Sequence, residues 1–212
     1  MTFKKENLNK DCTQLRQKFI LSSKKHVAMR VVESDRIFTV EEYIQHELHA
    51  ERRSDFINGQ LYPMPGEKDI NNEIAGFFYV LFLSLLKKRG YFVHINDIKV
   101  AIPGGTKYYY PDVFATKEMK TEQNQYIKYE PEIIVEVVST SSQITDYVDK
   151  YIDYTKIPSL KYYLIVEPET SLISVYERTQ NDHWEVRKFT KSSEIIELDK
   201  LDISFFLSEV YG

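Results

Sequence analysis

Three charged residues stand where their types and order suit hydrolysis of a phosphate ester: Asp112, Glu136 and Lys150. Asp112 follows Pro111 inside the strand-like run "KYYYPDVFAT", and Glu136 interrupts the apolar, strand-like run "PEIIVEVVST". Side chains alternate along a strand, so Ile134, Glu136 and Val138 share one face and Ile133, Val135 and Val137 share the other. A carboxylate in such a place is costly unless a cation or a donor compensates it. Should the two strands pair, both carboxylates meet on one face of a sheet, and a divalent cation is the usual remedy for their repulsion. Carboxylate oxygens are hard ligands, so magnesium or manganese is expected rather than zinc. Lys150 follows on a helical segment, with Asp146 and Tyr154 one turn away, and that helix must pack over the sheet. A cation would polarise a phosphodiester there, while the lysine orients the nucleophile or stabilises charge on phosphorus.

Each residue also has a purely structural reading. Asp112 could be a turn carboxylate beside proline, Glu136 one half of an ion pair with Lys99 or Lys161, and Lys150 a solvated helix residue. Other candidates are weaker. His46 and His49 in "HELHAE" are three apart, whereas the zinc-protease pattern needs four, and no cysteine lies nearby. Tyr108, Tyr109 and Tyr110 read as core in preference to a base-stacking platform. Lys87, Lys88 and Arg89 read as charge at a helix C-terminus.

The elements that must position these residues can be read in order. "FTVEEYIQ" opens with a capping box, Thr39 and Glu42, ahead of a short helix with Val40, Tyr43, Ile44 and Leu48 inward. "SDFINGQLYPM" is extended, with Asn58-Gly59 at a tight turn. Ile70 to Arg89 is the clearest helix, and Gly90 ends it. Strands follow at "YFVHI", "IKVAI" and "KYYYPDVFAT"; Pro111 requires the last to be bent, bulged or at an edge. A polar loop over 117–130 leads to the Glu136 strand, then a helix over "ITDYVDKYIDYTKI", a strand at "KYYLIV", a hairpin from "SLISVYER" and "HWEVRKF", and a short apolar C-terminal helix. The order is that of a mixed α/β fold.

Of the 212 residues, 42% are hydrophobic and 28% charged, as in ordinary soluble domains. Residues 1–36 carry nine Lys or Arg against four Asp or Glu, a balance of +5 that leaves −9 for residues 37–212. The basic segment reads as an N-terminal extension, with Leu8, Cys12, Leu15 and Phe19 at helical spacing, that docks on its own domain or on a second subunit. A single cysteine, Cys12, points to a reducing compartment, so a cytoplasmic location is expected, and the apolar runs imply no membrane span.

The runs "FINGQLYPMPG", "YYYPDVFAT", "PEIIVEVVSTSS" and "TDYVDKYIDYTKIPSLKYYLIVEP" together resemble the Uma-two family of restriction-endonuclease-like proteins, within the PD-(D/E)XK nuclease superfamily. The resemblance spans about residues 38–210. It implies a restriction-endonuclease-like fold: a mixed central β-sheet flanked by helices, with a C-terminal β-hairpin, over residues 37–212. It implies that Asp112 and Glu136 bind the metal and that Ser139 closes the family's "EVxS" motif. The superfamily's usual lysine position holds Val138, and the family's substitute from the next helix falls on Lys150, with Tyr154 one turn on. An acidic residue before "INGQL" matches Asp55, where the family usually has glutamate, and Asn71 stands where it often has histidine.

The resulting expectation is a magnesium- or manganese-dependent endonuclease acting on DNA, for which a two-fold homodimer would suit duplex cleavage. The alternative is a catalytically inactive nuclease fold serving as a DNA- or protein-binding module.

Overall fold

The computed structural model describes residues 32–33, 35–64, 66, 68–122, 125–138 and 145–211. The expected amphipathic helix at Leu8 to Phe19 lies outside the described residues, and so does Ser139.

The capping box forms as expected: Thr39 Oγ1 accepts the Glu42 N–H at 3.2 Å and Glu42 Oε2 accepts the Thr39 N–H at 2.9 Å. It starts helix α1 (Val40–Glu47), which buries Tyr43 and Glu47. Strands β1 (Ser54–Ile57) and β2 (Gln60–Pro63) make a hairpin through Asn58 and Gly59, both at positive φ. Gly59 is needed twice over: its φ is +90°, and an added Cβ would come within 2.7 Å of Ile37.

Helix α2 (Asp69–Leu86) continues into a 3₁₀ turn (Lys87–Arg89) and stops at left-handed Gly90. Strands β3 (Phe92–Ile95), β4 (Lys99–Ala101), β5 (Lys107–Tyr109) and β6 (Val113–Thr116) follow. The "KYYYPDVFAT" run is two strands in two sheets. β5 belongs to a five-stranded sheet, in which β7 (Ile127–Lys128) is an edge strand, ordered β2-β1-β5-β4-β7. β6 belongs to a six-stranded sheet that β8 (Pro131–Val137), β9 (Tyr162–Glu167), β10 (Leu172–Arg178) and β11 (Trp184–Phe189) complete, ordered β11-β10-β9-β8-β6-β3. Pro111 sits at the corner between sheets, where a missing N–H breaks no ladder.

The six-stranded sheet is the mixed central sheet: β8 runs parallel to β9 and antiparallel to β6. β8 is buried on both faces. Ile133, Val135 and Val137 join the core beneath α2. Ile134 and Val138 join a second core with Tyr154, Ile157 and Leu160. That second layer comes from a π-helical segment (Thr145–Lys150) running into helix α3 (Tyr151–Tyr154), where a regular helix is expected from the sequence. The expected hairpin is β10–β11 at the sheet's edge. A further hairpin, β12 (Ile195–Leu198) with β13 (Ile203–Phe206), precedes the closing helix α4 (Leu207–Tyr211).

Candidate active site

Glu136 is fixed by the two-residue period of β8, which turns it away from α2 and towards α3. It is 3% exposed. Its charge is met from the end of the π-helical segment and from α3: Glu136 Oε1 lies 2.8 Å from Lys150 Nζ and accepts the Tyr154 hydroxyl at 2.9 Å. Lys150 is itself 6% exposed, so it is not a solvated helix residue. The partner of Glu136 is neither Lys99 nor Lys161. Lys161 pairs with Glu132 at 2.6 Å, and Lys99 lies over the Tyr43 and Tyr110 rings.

Lys150 and Tyr154 are four residues apart, one turn of ordinary helix from the N-cap to the end of α3, so both reach the same carboxylate on β8. The π-helical segment ends at Lys150, and such segments recur at functional sites. Burial, followed by the Glu136 carboxylate and more weakly Asp55, pushes the Tyr154 phenol well above its ordinary pKa. It therefore remains a proton donor to Glu136.

Asp112 stands at the corner that carries the chain into β6. Val113 pairs with Val135, which places Asp112 beside Glu136 along the β6–β8 ladder. Its Oδ2 accepts the Val137 N–H at 2.7 Å, continuing the ladder with a side chain after the strand has turned away. Asp55, 4% exposed in β1, does the same at the other end of the corner: its Oδ1 accepts the Tyr110 N–H at 3.0 Å. Two carboxylates thus brace the Tyr110–Asp112 corner: Asp55 ties it to the five-stranded sheet and Asp112 ties it to β8 of the six-stranded sheet. Asn71 is buried in the first turn of α2. Four of the sequence-derived residues, Asp112, Glu136, Lys150 and Tyr154, are connected through β8 and its immediate neighbours, with Asp55 joined to them through the corner.

Sequence reasoning missed a brace behind this group. Asp153, 1% exposed, has Oδ2 at 2.6 Å from Lys107 Nζ and accepts the Tyr109 hydroxyl at 2.7 Å; its Oδ1 lies 2.7 Å from Lys156 Nζ. Burial alone would raise its pKa, but these three donors hold it below the ordinary value. The Tyr109 ring lies 6.0 Å from Lys150 Nζ, so Asp153 sets the wall against which the lysine rests. The signal was the alternation of Lys107 and Tyr109 on β5, legible only once β5 and α3 are known to pack together. A second missed cluster flanks Asp55: Tyr110 donates its hydroxyl to Glu47 at 2.6 Å, and Lys99 is buried beside them.

Among the described residues, no group of three or more His, Cys, Asp and Glu could hold a metal. Zinc, which takes three or four protein ligands, therefore has no site there. Magnesium commonly takes one or two carboxylates and fills its remaining positions with water and substrate phosphate. Adjacent Asp112 and Glu136 fit that demand. Glu136 already carries a cationic partner, so its burial does not by itself require a metal.

A model of the family Uma2, described as "Putative restriction endonuclease", matches residues 40–208. The "Uncharacterized protein sll1609" of Synechocystis sp. (strain ATCC 27184 / PCC 6803 / Kazusa) is 30% identical over 158 residues, covering 74% of this chain and 89% of that one. The "Uncharacterized protein slr1290" of the same organism is 28% identical over 172 residues, covering 81% and 90%. The crystal structure of "a putative nuclease belonging to DUF820" from Anabaena variabilis ATCC 29413 superposes with a TM-score of 0.68 at 15% identity, covering 82% of this chain and 97% of that one. At that identity the likeness shows the fold.

Proposed function

This chain belongs to the Uma2 family of restriction-endonuclease-like proteins, and from that premise we propose that it is a metal-dependent endonuclease hydrolysing phosphodiester bonds in DNA. The observation that carries the reading is the buried Glu136–Lys150 contact of 2.8 Å on the strand beside Asp112. An acid and a lysine kept dry together, next to a second acid, suit charge development at a phosphate better than they suit an exposed structural pair.

In this reading Asp112 and Glu136 hold magnesium or manganese. When bound, the metal polarises the phosphoryl oxygen and lowers the cost of charge in the transition state. Lys150 orients the attacking water and stabilises charge on the phosphorus centre. Tyr154 holds the Glu136 carboxylate in one orientation by donating to Oε1. Asp55 positions the Asp112 corner through the Tyr110 N–H.

One observation favours a second reading. Asp55, Asp112 and Glu136 each satisfy an N–H or a cation of the protein itself, as carboxylates in a binding module without catalysis would. The experiment that separates the two is cleavage of supercoiled and single-stranded DNA with magnesium or manganese, wild type against Glu136→Gln and Lys150→Ala. Cation-dependent nicking lost in both variants is the expected result. DNA binding without cutting by the wild type, together with no cation-dependent rise in melting temperature, would establish the binding module instead.

A further inference from the structure

Helix α2 is uncharged from Ile74 to Leu86, yet only 33% of its most apolar 18-residue stretch is buried. A helix apolar on every side is normally covered on every side. The six-stranded sheet covers the line of Asn71, Ile74, Ala75, Phe78, Phe82 and Leu86, and the β12–β13 hairpin with α4 covers part of a flank, where Phe77 and Phe78 meet Phe205 edge-on. At 100° per residue Val80 lies directly opposite that line, and it is 64% exposed.

The outer line has a symmetry centred on Val80. Phe77 and Leu83 each lie three residues from it, Gly76 and Ser84 four, Glu73 and Lys87 seven. All of these positions are exposed or half-buried. We propose that this face binds a second copy of the chain, with the two α2 helices antiparallel about a two-fold axis through Val80. That arrangement sets Val80 on its equivalent and Phe77 against the other copy's Leu83. It also places small Gly76 by small Ser84 and Glu73 by Lys87, twice over. The same patch is thereby self-complementary in shape and in charge, as an isologous contact requires.

Gly76 is an independent pointer. A Cβ placed there would meet nothing within 4 Å among the described residues, and a glycine in mid-helix is less stable than alanine. Nothing among the described residues accounts for it, whereas close approach of a second helix does. α2 covers the face of β8 opposite Glu136, so the contact leaves the candidate active site open. A lipid surface would also accept an apolar face, but it gives no role to Glu73 or to the mirrored spacing.

The test is independent of nuclease activity. Light scattering on the full chain should give twice the 25.1 kDa protomer mass. Val80→Arg, at a position exposed in the protomer, should give a folded monomer by circular dichroism. Glu73→Lys and Lys87→Glu should each weaken the dimer several-fold, and the two together should restore it. In a Cys12→Ser background, Val80→Cys should form an interchain disulfide on mild oxidation. A wild type that stays monomeric at tens of micromolar overturns the proposal, as does a dimer indifferent to Val80→Arg. So does a monomer that cosediments with phosphatidylcholine–phosphatidylglycerol vesicles through this face.

Discussion

Asp112 Oδ2 accepts the main-chain N–H of Val137, the residue that follows Glu136, at 2.7 Å. The first candidate metal ligand thus fixes the strand that carries the second. Asparagine can keep that hydrogen bond through its amide oxygen while losing the charge; alanine loses both. Asp112→Asn should hold the wild-type urea midpoint closely yet show no metal-dependent cleavage, whereas Asp112→Ala should cost a further 1–3 kcal/mol or so for the unsatisfied N–H. Full cleavage by Asp112→Asn would remove Asp112 from the metal site.

The Glu136–Lys150 pair should show strong coupling. Both side chains are nearly fully buried, so removing one deprives the other of the opposite charge 2.8 Å away. Lys150→Met and Glu136→Gln should each destabilise by about 3–5 kcal/mol, and the double variant by less than the sum. Urea unfolding of the four proteins measures this directly. Strict additivity would mean that the two charges are solvated in solution and that the site is open to water.

Asp153 should make stability acid-sensitive in one window. Its folded pKa is held below the ordinary 3.8 by Lys107, Lys156 and Tyr109, against the effect of burial. A carboxylate depressed in this way contributes stability above its unfolded value and loses it as pH falls through the folded value. Asp153→Asn should therefore be less stable than wild type by about 2–3 kcal/mol at neutral pH, lower than for a fully buried pair because Lys156 is half-exposed. The gap should close below pH 4. Should it persist unchanged at pH 3, the loss reflects packing and not the ion pairs. A fall in cleavage that tracks Lys150 placement, seen as a changed pH profile in Asp153→Asn, would show the brace acting through the Tyr109 wall.

The sequence made the strand and helix order legible because the patterns were strong and local. Thr39 with Glu42, the Asn58-Gly59 turn, and the alternation around Glu136 each need only a few neighbouring residues, and each stands as read. What failed was non-local. Pro111 announced an irregularity but not that the chain changes sheets there, since the choice of partner strand belongs to residues far along the chain. Lys99 and Lys161 were plausible partners for Glu136 by strand proximity, yet the partner is Lys150, because α3 packs over this face of β8 and brings Lys150 and Tyr154 to it together, a packing set by residues far along the chain. β12 and β13 do alternate, with Ile196, Leu198, Ile203 and Phe205 buried, but four residues each is too short to separate from a helical end.

Lys99 gives the last prediction, on the alkaline side. It is 5% exposed, lies over the Tyr43 and Tyr110 rings, and burial pushes its pKa down to about 8 from 10.5. Below pH 8 the ammonium is charged in both folded and unfolded chains, so the folded state carries the full penalty of burying it. Between about pH 8 and pH 10.5 the folded protein has lost this proton while the unfolded chain retains it, and stability rises with pH over that range. Lys99→Met removes the titration, so pH-independent packing changes cancel when the two slopes are compared. From pH 8 to pH 10 wild type should gain about 2 kcal/mol relative to the variant, as followed by urea unfolding. Parallel slopes would mean that the Glu47 carboxylate, the charge that opposes the burial effect, holds Lys99 protonated in the folded protein.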